Sequence, residues 1–144
     1  MTPQELKKAL VGAGFEVYRT LGDEVVLAER VRDNLIMDSG VRVRVAGGDA
    51  LEIRVLLAAR RGEYPGESDA AIADHIRALA DGLRTAGFGE HGVRTSPLND
   101  PADPTRTLDT LVEVAFHHPT DGFASVVEPL RLAIAAAKTA DRGR

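Results

Sequence analysis

The chain has 144 residues, a formal net charge of −4 and no cysteine. That length suits a single domain with a real core, and 28% charged with 44% hydrophobic residues excludes a disordered chain. Missing thiols exclude disulfides, cysteine nucleophiles, thiolate zinc sites and iron–sulfur clusters, and the acidic balance argues against bulk binding to nucleic acid or anionic membranes.

No apolar run approaches the roughly 18 residues of a membrane span. The start, Met-Thr-Pro-Gln-Glu-Leu-Lys-Lys, lacks an apolar signal region, so a cytoplasmic protein is expected. Thr2-Pro3-Gln4-Glu5 predicts a helix start with Thr2 as cap, Pro3 in the first turn and Glu5 closing a capping box. Leu6, Ala9, Leu10 and Ala13 make its apolar stripe, and Gly14 ends it. Phe15 to Tyr18 then begins a strand, which Leu21-Gly22-Asp23 turns toward Val25 and Leu27. Leu27, Val31 and Leu35 also fit helical spacing, so residues 25–36 read as strand or as short helix. Leu35-Ile36-Met37, set between Asn34 and Asp38-Ser39-Gly40, reads as a loop plugging the core or as an exposed contact patch.

The strongest pattern follows. Val41, Val43 and Val45 alternate with Arg42 and Arg44; after Gly47-Gly48-Asp49, Leu51, Ile53, Val55 and Leu57 alternate with Glu52 and Arg54. Period-two alternation on both sides of a glycine turn predicts a half-buried antiparallel hairpin of residues 41–46 and 51–60. Its arginines form either a solvated face balanced by Glu52 or a local basic face. Gly62 to Gly66 ends that strand, and Ile72, Ile76, Leu79 and Leu83 predict one helix from about Ser68 to Gly87. Val93 to Thr95 is a weak strand. Pro97, Pro101 and Pro104 with Asn99, Asp100 and Asp103 predict a loop or insertion over residues 96–106. Thr110 to His117 predicts a central strand, apolar on both faces. The last helix places Phe123, Val127, Leu130, Ile134 and Ala137 on its stripe, with Pro129 in its first turn, and leaves Val126 and Leu132 to the side as spare apolar surface.

Chemistry is sparse beside this architecture. Gly87-Phe88-Gly89-Glu90-His91-Gly92 has the GxGxxG spacing, but a helix precedes it and a strand follows, the reverse of a phosphate-binding turn. His117 and His118 point to opposite faces of a strand, His75 has no partner at helical spacing, and His91 sits apart in a loop, so no metal set is expected. None of Ser39, Ser68, Ser96 or Ser125 lies in a nucleophile elbow. No catalytic residue, cofactor or metal ligand is assigned.

Two resemblances bear on function. Gly22-Asp23-Glu24-Val25-Val26-Leu27-Ala28-Glu29-Arg30 resembles the GDxVNLAxR stretch of class III nucleotide cyclases, which implies a diverged nucleotide-binding protein with Arg30 at the phosphate. Val26 stands where that family has Asn. More of the chain resembles the type III secretion chaperone-like superfamily, including the bacterial YbjN-like proteins. The echoes are Phe15-Glu16-Val17 after the first helix, the two-strand core, the helix ending in Gly87-Phe88-Gly89, and the strand Leu111 to Phe116 before the final helix. That resemblance implies an α+β fold, an antiparallel sheet with helices packed mainly on one face, in the order α, three or four β, α, β, β, α. It also implies a single non-catalytic domain, a homodimer that binds a protein segment. Candidate contact residues are Leu35, Ile36, Met37, Val126 and Leu132. A purely structural assembly subunit is the third reading.

Overall fold

A computed structural model describes residues 1–142 as an α+β fold on one six-stranded antiparallel sheet. The elements run α1 (Pro3–Gly12), β1 (Val17–Leu21), β2 (Glu24–Arg32), β3 (Leu35–Gly47), β4 (Ala50–Arg60), α2 (Asp69–Leu79), α3 (Asp81–Thr85), β5 (Gly89–Asp100), β6 (Asp103–Thr120) and α4 (Val127–Arg142). In space the strands are ordered β1-β2-β3-β4-β6-β5. Among the described residues no helix is long and apolar enough to cross a membrane.

The expected hairpin forms β3 and β4, with Val43 opposite Ile53 and Val45 opposite Leu51. Gly47 and Gly48 take φ of +122° and +55°, which a side chain would oppose. The capping box at α1 is complete: the Glu5 amide donates to Thr2 Oγ1 at 3.2 Å, and the Thr2 amide donates to Glu5 Oε1 at 3.1 Å. One apolar cluster unites Leu6 and Leu10 of α1, Ile72 and Ile76 of α2, and Leu130 and Ala133 of α4 with alternate strand residues. Those include Leu27, Val41, Val43, Ile53, Val55, Leu57, Val112, Val114 and Phe116.

Five expectations change. Residues 25–36 are strand throughout except for the Asp33-Asn34 turn, so the helical alternative falls. Leu35, Ile36 and Met37 do not plug the core; they lie near the tip of the β2–β3 hairpin, 40%, 37% and 50% exposed. The single helix after Ser68 is two, because the backbone breaks at Ala80 (φ −92°, ψ 7°). That break turns Leu79 outward while Ala80 and Leu83 go into the core. The loop at 96–106 is strand on both sides of Pro101-Ala102. β5 is an edge strand, and an edge tolerates Pro97 because proline removes only one donor there.

The fifth concerns α4. Its buried line is Val126, Leu130, Ala133, Ala137 and Ala140, so Val126 is core and Leu132 alone of the two stands exposed. Alanines occupy the centre of that line, which lets the helix approach the sheet closely, while Val127 and Ile134 flank it half-buried. Leu130 and Ala137 of the expected stripe are thus in the core; the line starts from Val126 rather than Phe123, because Phe123–Ser125 is a separate 3-10 turn.

Candidate functional site

Strand alternation turns a second set of residues away from the apolar cluster. On β3 these are Arg42 and Arg44, on β4 Glu52, Arg54 and Leu56, and on β6 Glu113, Ala115 and His117. Register aligns Arg42 with Arg54, and Arg54 with His117; farther along, Leu56 stands opposite Ala115 and Ala115 opposite Gly92. Two like charges directly opposite on neighbouring strands repel. Glu24 of β2 answers them, accepting from Arg42 Nη1 and Arg54 Nη1 at 3.2 Å each. Asp38 lies 3.5 Å from Arg42 Nη2, Glu52 accepts from Arg54 Nε at 2.6 Å, and Asp23 accepts from Arg44 Nε at 3.0 Å.

Arg42, Arg44 and Arg54 are thus each matched by a carboxylate. Burial works against ionising Glu52, but the hydrogen bond and charge of Arg54 outweigh it and hold its carboxyl below the ordinary value of 4.5. Arg44 does the same for Asp23.

Two hairpin arms wall this face. β3 pairs with β4 only as far as Val41 opposite Val55, and residues 35–38 pair with β2 alone. Asp38-Ser39-Gly40 makes the departure. The Gly40 amide donates to Asp38 Oδ1 at 2.8 Å, the Val41 amide donates to Ser39 Oγ at 3.1 Å, and Ser39 Oγ donates to the Leu27 carbonyl at 2.7 Å. Side chains thereby take over ladder bonds, as at a bulge. Gly40 adopts φ +79°, and a Cβ there would stand 2.7 Å from the Leu56 carbonyl oxygen, so no other residue fits unchanged. β6 likewise outruns β4, since residues 103–110 pair with β5 alone. Both arms leave from the end of the sheet where β4 finishes.

On this face lies a cleft of about 610 Å³, bordered by Glu24, Asp38 and Arg42 on the β2–β3 side and by His91, Val93 and Arg94 of β5 on the other. Its floor is Gly40, Leu56, Ala115 and Gly92. Glu113 is only 5% exposed there; the Ser96 hydroxyl donates to it, and Arg94 Nη2 lies 3.5 Å away. A carboxylate so buried needs such partners. The His91 and His117 rings face each other at 4.8 Å, and His117 Nδ1 is 4.0 Å from Glu52 Oε2. His91 is thus a strand residue beside a second imidazole, not an isolated loop residue. His118 points to the other side, where its Nδ1 lies 3.1 Å from the Gly87 carbonyl and its ring tilts over Phe88. Among the described residues no three His, Asp or Glu side chains gather as metal ligands.

Of the candidate contacts, Leu35, Ile36, Met37 and Leu132 are exposed, but Leu132 is on α4 and the other three on the arm; Val126 is wholly buried in the core. Arg30 forks onto Glu16, Nε to Oε1 at 3.0 Å and Nη2 to Oε2 at 2.9 Å, and also donates to the Asp33 carbonyl. Glu24, Ser96, Arg94 and Glu113 went unassigned in the sequence. Glu113 carried a signal, a lone acid inside Leu111-Val112-Glu113-Val114.

No protein-family model matches the chain. Among solved structures, a crystal structure of an uncharacterized protein from Methanothermobacter thermautotrophicus is similar to it, with 12% sequence identity and a TM-score of 0.50. The match covers 99% of this chain and 95% of that one. Such a likeness concerns the fold alone.

Proposed function

We propose that the chain is a non-catalytic, chaperone-like protein-binding module that receives a polypeptide segment in the cleft on the open face of its sheet. The observation that carries this is a cleft floored by Gly40, Leu56, Ala115 and Gly92 and lined by charges already matched to one another. A matched lining offers hydrogen bonds to a polypeptide without the unpaired charge that a small ionic substrate would select. Ser96, whose hydroxyl donates to Glu113 at the cleft, has no imidazole base for a partner, which favours binding over acyl transfer. The net charge of −4 weighs against nucleic acid as the partner.

The test is capture from the native cell with the tagged full chain, compared with Ala115→Trp, which fills the floor without entering the apolar cluster. A discrete polypeptide retained by the wild type and lost with the folded variant is expected. Retention by both, or magnesium-dependent nucleotide binding by the wild type, would overturn the proposal, the latter in favour of the reading built on Gly22 to Arg30. A homodimer belongs to the same proposal, with Leu35, Ile36 and Met37 at the arm tip as its contact. Light scattering of the wild type against a variant with all three changed to Ser tests it; a 15.4 kDa monomer in both removes the dimer.

A further inference from the structure

β4 is not paired along its whole length on both sides. Its ladder with β6 runs from Leu51 to Arg60, whereas its ladder with β3 stops at Val55. The missing bonds have an identifiable cause: Gly40 would be the next β3 residue to pair, and its amide is bound to Asp38 instead. The Leu56 carbonyl points toward Gly40. Main-chain direction alternates along a strand, so the N–H and C=O groups of Ala58 and Arg60 point the same way, into the space that β3 vacates. Their pairs with Glu113 and Leu111 on β6 are accordingly the non-hydrogen-bonded kind. Leu56 lines the cleft, Ala58 two residues on is half-exposed, and Arg60 is exposed with no carboxylate partner among the described residues.

We infer that the partner segment binds by adding an extended strand to β4 at residues 58–60, beside the departing β3. This rests on the polypeptide-binding reading and specifies its mode. The main-chain groups of Ala58 and Arg60 give the strand its ladder, as in β-augmentation generally. The side chains around them set its chemistry: an apolar residue over Leu56 and Ala58, and an acidic one beside Arg60. The occupant is therefore an extended segment that carries both an apolar and an acidic side chain.

The probe is a set of peptides selected on the full chain from a random display library. They should combine apolar and acidic residues, and on binding they should slow hydrogen exchange at the Ala58 and Arg60 amides of the wild type. Ala58→Pro removes one donor facing the gap and spares the β6 ladder, so it should weaken those peptides roughly tenfold, the cost of one main-chain bond. Its thermal melt shows whether it folds, and the wild-type exchange result stands if it does not. Failure to select any peptide, or exchange protection confined to other strands, overturns the inference. If Ala115→Trp abolishes peptide binding while Ala58→Pro leaves it unchanged, strand addition falls and the binding module stands; if neither folded variant has an effect, both fall.

Discussion

Along the centres of β3, β4 and β6 alternate residues, among them Val41, Val43, Ile53, Val55, Val114 and Phe116, are closed to solvent. The residues between them, such as Arg42, Arg54, Ala115 and His117, remain half-exposed and meet one another through ions, imidazoles and small side chains. One set of strands therefore carries two surfaces held by different physics. On the helix side stability comes from volume, and any lost methylene leaves a cavity. On the open side it comes from matching charge, and shape is left free for a partner.

Deleting bulk from the helix side should do the most damage. Phe116 is the largest of the fully buried side chains, at 1% exposure. Phe116→Ala should cost about 3–5 kcal/mol in urea unfolding, enough to threaten the fold of a domain this size. Ala115→Trp, one residue away on the other face, should change stability far less. Equal losses would mean that the open face is packed after all.

Gly40 tests the hinge between the two regimes. Gly40→Ala meets both a positive φ and the Leu56 carbonyl, so a loss of about 2–3 kcal/mol is expected. Gly92, at the other wall, has φ +153° but open space where a Cβ would lie, and Gly92→Ala should cost less. A neutral Gly40→Ala would show that β3 can leave the sheet by another route.

Much of the helix side was legible because burial repeats with the period of the element. Val41-x-Val43-x-Val45 and Leu51-x-Ile53-x-Val55-x-Leu57 state both strand and face, and Gly47-Gly48 states the turn between them. Legibility failed where a residue's meaning depends on its neighbours in space. Three prolines read as a loop because the sequence does not say that β5 is an edge strand. Glu24 looked like any turn-side acid until β2 came to lie beside β3. His91 had no visible partner because His117 reaches it only across the β5–β6 ladder. On α4, Leu130 and Ala137 were legible as core but Val126 was not, because a 3-10 turn precedes the helix and nothing in Phe123-Ala124-Ser125 marks that change of phase.

The open face should respond first to loss of a shared counter-charge. Glu24→Gln leaves Arg42 and Arg54 opposite each other without the carboxylate that both now donate to. A loss of about 1–2 kcal/mol is expected, because hydrogen bonds to charged groups are worth more than neutral ones. High salt should recover part of it by screening the two guanidinium groups. No recovery in salt would point to lost packing instead.

The smallest effect concerns acid. Glu52 is held below its ordinary value of 4.5 in the folded protein, by the Arg54 bond working against burial. A carboxyl with a depressed folded value binds fewer protons when folded than when unfolded, so stability rises with pH across the interval between the two values. The Glu52 contribution is fully present above 4.5 and is lost as pH falls through the lower folded value. Glu90, bonded to Arg77 on the helix side of the molecule, acts in the same direction and over the same kind of interval. Urea unfolding should therefore show stability falling as acid is added below that point. Glu52→Gln should flatten part of the slope while Glu90→Gln flattens another part, and the two flattenings should add, since the groups bond to different arginines. If Glu52→Gln leaves the acid limb untouched, the Arg54 contact is not held in solution and the cleft's charges are looser than the geometry shows.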